Sequence, residues 1–217
     1  MPDSIVELLA RHAAEQPERI AYTCGDREIT FAGLDERTRR FAAGLAALGL
    51  RRGERVLICL PAGIDAVVAL LGTVRAAGVG VPVDPRSSTA ELAGLVEDCG
   101  PRLVVAGLPR RDGGRTVDEV FAAAGDGVAR DDLGPDEQAW IHYTSGSTGR
   151  PKGVVSTQGA WLGMARRALV EHLGFTAGDR LLWPLPLFHA LGHARCVLAV
   201  PLTGRARRSS TTRPTTS

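Results

Sequence analysis

The chain has 217 residues, 44% of them hydrophobic, a mean hydropathy near zero and a formal net charge of +2. That length can bury a sizeable core, and the longest apolar tract, Ala66 to Val83, is broken by Arg75, three glycines and Pro82, which excludes a membrane span. Residues 205–217 hold four arginines and no acid, so the remainder carries 22 basic against 24 acidic residues and has no general attraction for nucleic acid.

Ser4 and Glu7 form a capping box at the start of a helix whose stripe, Ile5, Leu8, Leu9 and His12, runs on until Pro17 ends it. Ile20–Cys24 and Arg27–Phe31 flank Gly25-Asp26 and predict a hairpin. Leu34, Thr38, Phe41, Leu45 and Leu48 recur at helical spacing, with Gly49 as the left-handed cap. A strand over Arg55–Leu60, a helix over Asp65–Ala77 closed by Gly78, and a strand over Val79–Val83 follow. Helices are predicted at Thr89–Cys99 and Thr116–Ala124, with the strand Leu103–Ala106 between them and a loop-bearing connection over 107–136. Alternation of this kind implies an α/β fold with a mostly parallel sheet flanked by helices. Such sheets bind ligands beyond the carboxyl ends of their strands.

Trp140 to Tyr143 is aromatic, β-branched and apolar, which suits a buried strand. From Thr144 through Ser145, Gly146, Ser147 and Thr148 to Gly149 every side chain is a hydroxyl or a hydrogen, and Arg150, Pro151 and Lys152 follow. The glycines let backbone N–H groups approach an anion, and the hydroxyls donate to its oxygens. Lys152 is the only lysine among 26 basic residues, which favours a role that needs a compact ammonium rather than a guanidinium. A flexible linker is the alternative, but Pro151 stiffens the segment and strand-like sequence flanks it. A Walker A loop fails on the letters, because Pro151 precedes Lys152 and Gly153 follows it. Beyond the segment, Val154–Ser156 predicts a brief strand, Thr157 caps a helix reaching about Leu173, and Arg180–Trp183 predicts another strand. Pro184 and Pro186 exclude a helix there, whereas Leu191 to Leu202 suits a buried one.

Tyr143-Thr-Ser-Gly-Ser-Thr-Gly-Arg-Pro-Lys-Gly153 is similar, without a departure, to the signature loop of the AMP-forming adenylating enzymes, among them acyl-CoA synthetases and peptide-synthetase adenylation domains. Leu71 to Pro85 resembles the family's early helix–strand segment, and Pro186-Leu-Phe-His189 resembles the acyl-pocket motif of its CoA-ligase branch. The whole Arg180–Val200 stretch looks most like the CoA-ligase domains that open modular polyketide synthases. The resemblance implies the N-terminal, incomplete part of the family's large domain over residues 1–204. It implies ATP and Mg²⁺ as cofactors, a small carboxylic acid as substrate, and CoA or a phosphopantetheinyl carrier protein as acceptor. Thr144–Gly149 and Lys152 would hold the phosphates, with Lys152 and His189 as the catalytic pair and His189 bordering the acyl group. The family's later motifs, including the main carboxylate ligand of the Mg²⁺ and the catalytic lysine of the small C-terminal domain, have no counterpart in this sequence and are expected beyond its end. The isolated chain is therefore expected to be inactive, and a non-catalytic nucleotide- or acyl-binding module, or a remnant, is the alternative.

His189 and His193 stand four apart, as paired metal ligands do, but Ala190 occupies the position where the zinc-protease pattern has its glutamate. The metal ligands are thus unknown, and His142 is expected to be structural. The four cysteines lack any C-x-x-C pairing and the N-terminus shows no signal peptide; they read as buried, reduced thiols of a cytoplasmic protein. Residues 205–217, dominated by Arg, Ser and Thr, are expected to be disordered and to come from out-of-frame read-through or a truncated gene.

Overall fold

The computed structural model describes residues 4–107, 114–144, 151–204 and 207–209, the last three by their backbone. Local sequence chemistry accounts for the helix starts. Ser4 caps α1 (Ile5–Glu15), Thr30 caps α2 (Phe31–Ala47), Ser88 caps α4 (Thr89–Cys99) and Thr116 caps α5 (Val117–Ala123), each accepting from the backbone N–H three residues on. At Ser4, Ser88 and Thr116 a glutamate returns the bond and completes a capping box. The helix α3 (Ile64–Arg75) ends differently from the expectation that Gly78 closes it. Ala77 takes the left-handed conformation, at φ 55°, and the Gly78 N–H bonds back to the Thr73 carbonyl at 2.9 Å. Gly78 serves packing instead, since a Cβ there would stand 2.9 Å from Leu50 Cδ2.

Five strands form the main sheet in the order β5 (Leu103–Ala106), β3 (Arg55–Cys59), β4 (Val79–Pro82), β6 (Gln138–Thr144), β7 (Lys152–Thr157). The first four are parallel, and β7 pairs antiparallel with β6 as the edge, in a register that sets Tyr143 opposite Gly153 and Thr144 opposite Lys152. Helices cover both faces. One core joins Val56, Ile58, Val105 and Trp140 to α1, α2, α3 and to α6 (Gln158–Arg166), which continues as a π-helical stretch Arg167–His172. The other joins Leu57, Val79, Val81 and Ile141 to Leu92, Leu95 and Cys99 of α4. The Leu191 to Leu202 stretch is largely buried from Gly192 on, as expected, but it forms parts of α7 (Ala190–Gly192), a π-helical turn His193–Leu198 and α8 (Ala199–Thr203) rather than one regular helix, and Leu191 itself is exposed.

A second sheet has the order β2 (Arg27–Thr30), β1 (Ile20–Cys24), β9 (Arg207–Ser209), β8 (Leu181–Leu182): the hairpin and the strand within Arg180–Trp183 are as expected, whereas β9 and the joining of these strands into one sheet were not foreseen. Its β9 lies within the stretch where composition predicts disorder; three residues there run parallel to both β1 and β8. Backbone pairing asks little of the side chains, so Arg and Ser can join an open ladder. Cys59, Cys99 and Cys196 are buried as expected, while Cys24 is only half-buried. No helix among the described residues is long and apolar enough to cross a membrane.

A charge cluster lies in the interior. Arg75, at 1% exposure, donates to Asp35 Oδ1 at 2.7 Å and to Thr38 Oγ1 at 3.0 Å, and its other edge meets both carboxylate oxygens of Asp131 at 2.7 Å. The Asp131 N–H in turn donates to the Arg75 carbonyl at 2.9 Å. A residue that interrupts an apolar tract in the sequence thus pins the connection before β6 to the α2–α3 pair.

Candidate active site

β6 emerges at the carboxyl end of the sheet and delivers Tyr143 and Thr144 to a cleft of about 1130 Å³. Asp84, from the turn after β4, and Glu91, Glu97 and Asp98 of α4 line one wall; Tyr143, Thr144, Pro151, Phe188 and His189 line the rest. Ser145, Gly146, Ser147, Thr148 and Gly149 lie outside the described residues, as does Arg150. Their two flanks are described, and both Thr144 and Pro151 face the cleft. The Thr144 hydroxyl donates to the Lys152 carbonyl at 3.4 Å, closing the base of the β6–β7 hairpin.

The remaining predicted site residues divide. His189 sits exposed on the cleft wall, its ring 4.4 Å from that of Phe188. Lys152 is exposed at the start of β7, opposite Thr144, but is not among the residues that line the cleft. Asp84 is held below the usual carboxylate range by its hydrogen bonds from Arg86, and the charge of His189 acts in the same direction. The expected ligand end of the sheet therefore brings Thr144 and His189 to one cavity, with Lys152 at its root.

His193 does not join His189. It is fully buried, one helical turn further on, in a ring cluster with His142, Trp140 and Trp161. The imidazole centroids of His142 and His193 are 4.8 Å apart, and the ring nitrogens of both, with Trp140 Nε1, have no hydrogen-bond partner. Burial lowers the pKa of His142 to about 4 and that of His193 well below its ordinary value, so both rings are neutral at pH 7. No group of three or more His, Cys, Asp or Glu side chains suited to a metal occurs among the described residues.

Sequence reasoning missed a contact at the root of the site. The Tyr143 hydroxyl donates to Asp98 Oδ2 across 45 residues of chain, and burial together with that carboxylate raises the phenol above its usual pKa. Nothing in the spacing of Asp98 announces it; the one available signal was Gly153, whose missing side chain leaves room for the tyrosine ring.

Comparison with known proteins agrees with this architecture. The family model described as AMP-binding enzyme matches residues 9–207. Chalcone synthase cfoA of Aspergillus candidus is 36% identical over 94% of this chain, a stretch that makes up 8% of that protein. The o-succinylbenzoate CoA synthetase MenE from Bacillus subtilis, in complex with the acyl-adenylate intermediate OSB-AMP, has a TM-score of 0.85 at 30% identity, covering 94% of this chain and 55% of its own. The same enzyme in complex with ATP and magnesium ion gives 0.84 at 29% identity, covering 93% and 56%. The chain thus spans under a tenth of the first relative and about half of MenE. With strands, helices and loop flanks in the places described, and with a match over nearly its whole length, the chain belongs to the AMP-binding enzyme family of adenylate-forming ligases.

Proposed function

We propose that this chain contributes the phosphate- and acyl-binding side of an ATP-dependent acid–thiol ligase. In that reaction a carboxylate attacks the α-phosphorus of ATP, pyrophosphate leaves, and the acyl-AMP then passes its acyl group to the thiol of CoA or of a carrier protein, releasing AMP. Thr144–Gly149 and Lys152 would hold the β- and γ-phosphates and His189 would border the acyl group. The observation that carries this reading is the single cleft to which Thr144, Pro151 and His189 are all brought.

The cleft volume of about 1130 Å³ accommodates a nucleotide. The carboxylates of Asp84, Glu91 and Glu97 on its lining repel a polyphosphate, whereas the hydroxyl of Thr144 can donate to one, and the exposed ammonium of Lys152, beside the cleft rather than on its lining, adds attraction. Mg²⁺ enters this reading through the MenE complex that contains it; bound beside the phosphates it would neutralise their charge.

Binding without turnover is the second reading, favoured by the chain's span of only about 55% of MenE. Both readings expect saturable ATP binding by the folded chain and its loss in Lys152→Ala, measured by calorimetric titration. A folded preparation that shows no saturable ATP binding overturns both. ATP–pyrophosphate exchange with a panel of acids then separates them: the chain alone is expected to give none, and exchange above background would establish catalysis in this chain by itself.

A further inference from the structure

Tyr143 touches three elements that meet at the root of the hydroxyl- and glycine-rich segment. It ends the apolar part of β6, and its ladder partner on β7 is Gly153. A Cβ at position 153 would stand 3.4 Å from both Cε1 and Cζ of the tyrosine ring and 2.9 Å from Ile141 Cγ2, so the ring lies directly against the bare backbone of the returning strand. Its hydroxyl donates to Asp98 Oδ2 near the C-terminus of α4. One side chain therefore joins the strand leaving for the segment, the strand returning from it, and the helix that forms the acidic wall of the cleft.

Such a joint is needed mechanically. β7 is an edge strand, with Val154 and Val155 exposed, and its ladder with β6 ends at Thr144 and Lys152. The last pair of an edge ladder opens most readily. The bond between Thr144 and the Lys152 carbonyl is long, at 3.4 Å, and adds little. A charge-assisted bond from the phenol to a helix packed on the sheet is far stronger.

We infer that Tyr143, through Asp98 and Gly153, is a positioning residue that fixes Lys152 relative to Thr144. This rests on the reading of Thr144 and Lys152 as phosphate-binding groups, and the experiment separates the two. Amide hydrogen exchange and ATP titration are run on the folded wild-type chain, Tyr143→Phe, Asp98→Ala and the double variant, with urea midpoints as a check on global folding and Asp98→Asn held as a milder second variant. The phenylalanine ring still covers Gly153, so only the bond to Asp98 is lost.

Of residues 152 and 153, consecutive on an edge strand, only one turns its amide toward β6; exchange at that ladder-facing amide is expected to quicken by about tenfold in either single variant, the weight of one hydrogen bond to a charged group. The double variant is expected to exchange no faster than the singles, and β3 and β4 to exchange at their wild-type rates. The ATP dissociation constant is expected to rise by about the same factor. Wild-type exchange rates in Tyr143→Phe would overturn the inference whether or not ATP binds. So would additive effects in the double variant, or faster exchange with unchanged ATP affinity. If wild type binds no ATP yet the tether protects that amide, the phosphate reading falls and with it the role assigned to the tether.

Discussion

Acid should destabilise this protein through buried histidines, chiefly His142 and His193 with His12 acting in the same direction, before its carboxylates are involved. His142, 4% exposed, and His193, fully buried, sit among tryptophan rings with no partner for their nitrogens. The unfolded chain takes up a proton on His142 near its ordinary value of 6.5, whereas the folded chain does so only at about 4. Stability is therefore complete above about pH 6.5, falls as the pH drops, and levels off near pH 4, where the folded form also becomes protonated. A gap of about 2.5 pH units at about 1.36 kcal/mol each gives His142 alone a loss of about 3 kcal/mol, and His193 adds to it with the same sign. Against a typical total of about 5–15 kcal/mol that is a large share. Urea titrations followed by tryptophan fluorescence read it directly, because Trp140 and Trp161 both adjoin the histidines. The informative window is about pH 6.5 to 5. Asp65 and Glu137, held low by Arg27 and by the Gly134 N–H respectively, lose their contributions only at lower pH, as they fall below ordinary carboxylate values. Within that window wild type is expected to lose about 2 kcal/mol from His142, and His142→Met to lack that part of the slope. Equal slopes in the two proteins would refute the argument.

The ion cluster makes a second test: Arg75→Met leaves Asp35 and Asp131 without their shared partner, and urea unfolding at neutral pH should record a loss of about 3–5 kcal/mol. A loss below about 1 kcal/mol would mean that the cluster only balances its own desolvation. Gly44→Ala tests how closely α2 approaches α5, because the added methyl would stand 1.9 Å from the Val120 carbonyl oxygen. Thermal melts should show it destabilised by at least about 1–3 kcal/mol, against a slight gain if the helix surface were open. Ser88→Ala removes the capping box of α4, and chemical denaturation should register a cost of about 0.5–2 kcal/mol.

The structure separates what a sequence states locally from what it leaves to folding. Caps at Ser4 and Thr157 were legible because a hydroxyl and the N–H it serves lie three residues apart, a pattern that Ser88 and Thr116 share without being predicted as caps. The parallel character of β5, β3, β4 and β6 followed from strands alternating with helices, while their order in the sheet did not. The antiparallel return of β7 did not, since a strand period carries no direction. Arg75 read as a break in an apolar tract because hydropathy has no way to register a partner that arrives 56 residues later. Gly78 drew the left-handed cap that Ala77 supplies, because glycine serves both backbone freedom and close packing, and sequence alone does not distinguish them. At the site, Thr144 and His189 both reach the cleft, the second singled out only by the family resemblance, while Asp98, fixed by the packing of α4 on the sheet, had no signal in the sequence.

The two faces of β6 explain how residues that contribute almost nothing to a core can follow it. Hydroxyls, hydrogens and one ammonium bury little apolar area, so any order they need is supplied by the strands at either end. β6 is held on both sides: Trp140 and His142 enter the larger core, and Ile141 and Tyr143 lie with the smaller one. β7 has no such grip, being an edge with Val154 and Val155 in solvent. Rigidity at the root of the segment is therefore unequal. Thr144 inherits the immobility of a doubly buried strand, whereas Lys152 depends on the ladder and on the tyrosine ring over Gly153. A substitution that loosens β7, such as Gly153→Ala, should accordingly weaken binding that depends on the Lys152 ammonium while leaving the exchange protection of the β6 amides that face β4 as it was. Equal loss of protection on those amides and on β7 would show the hairpin to move as one piece and would remove the basis for that asymmetry.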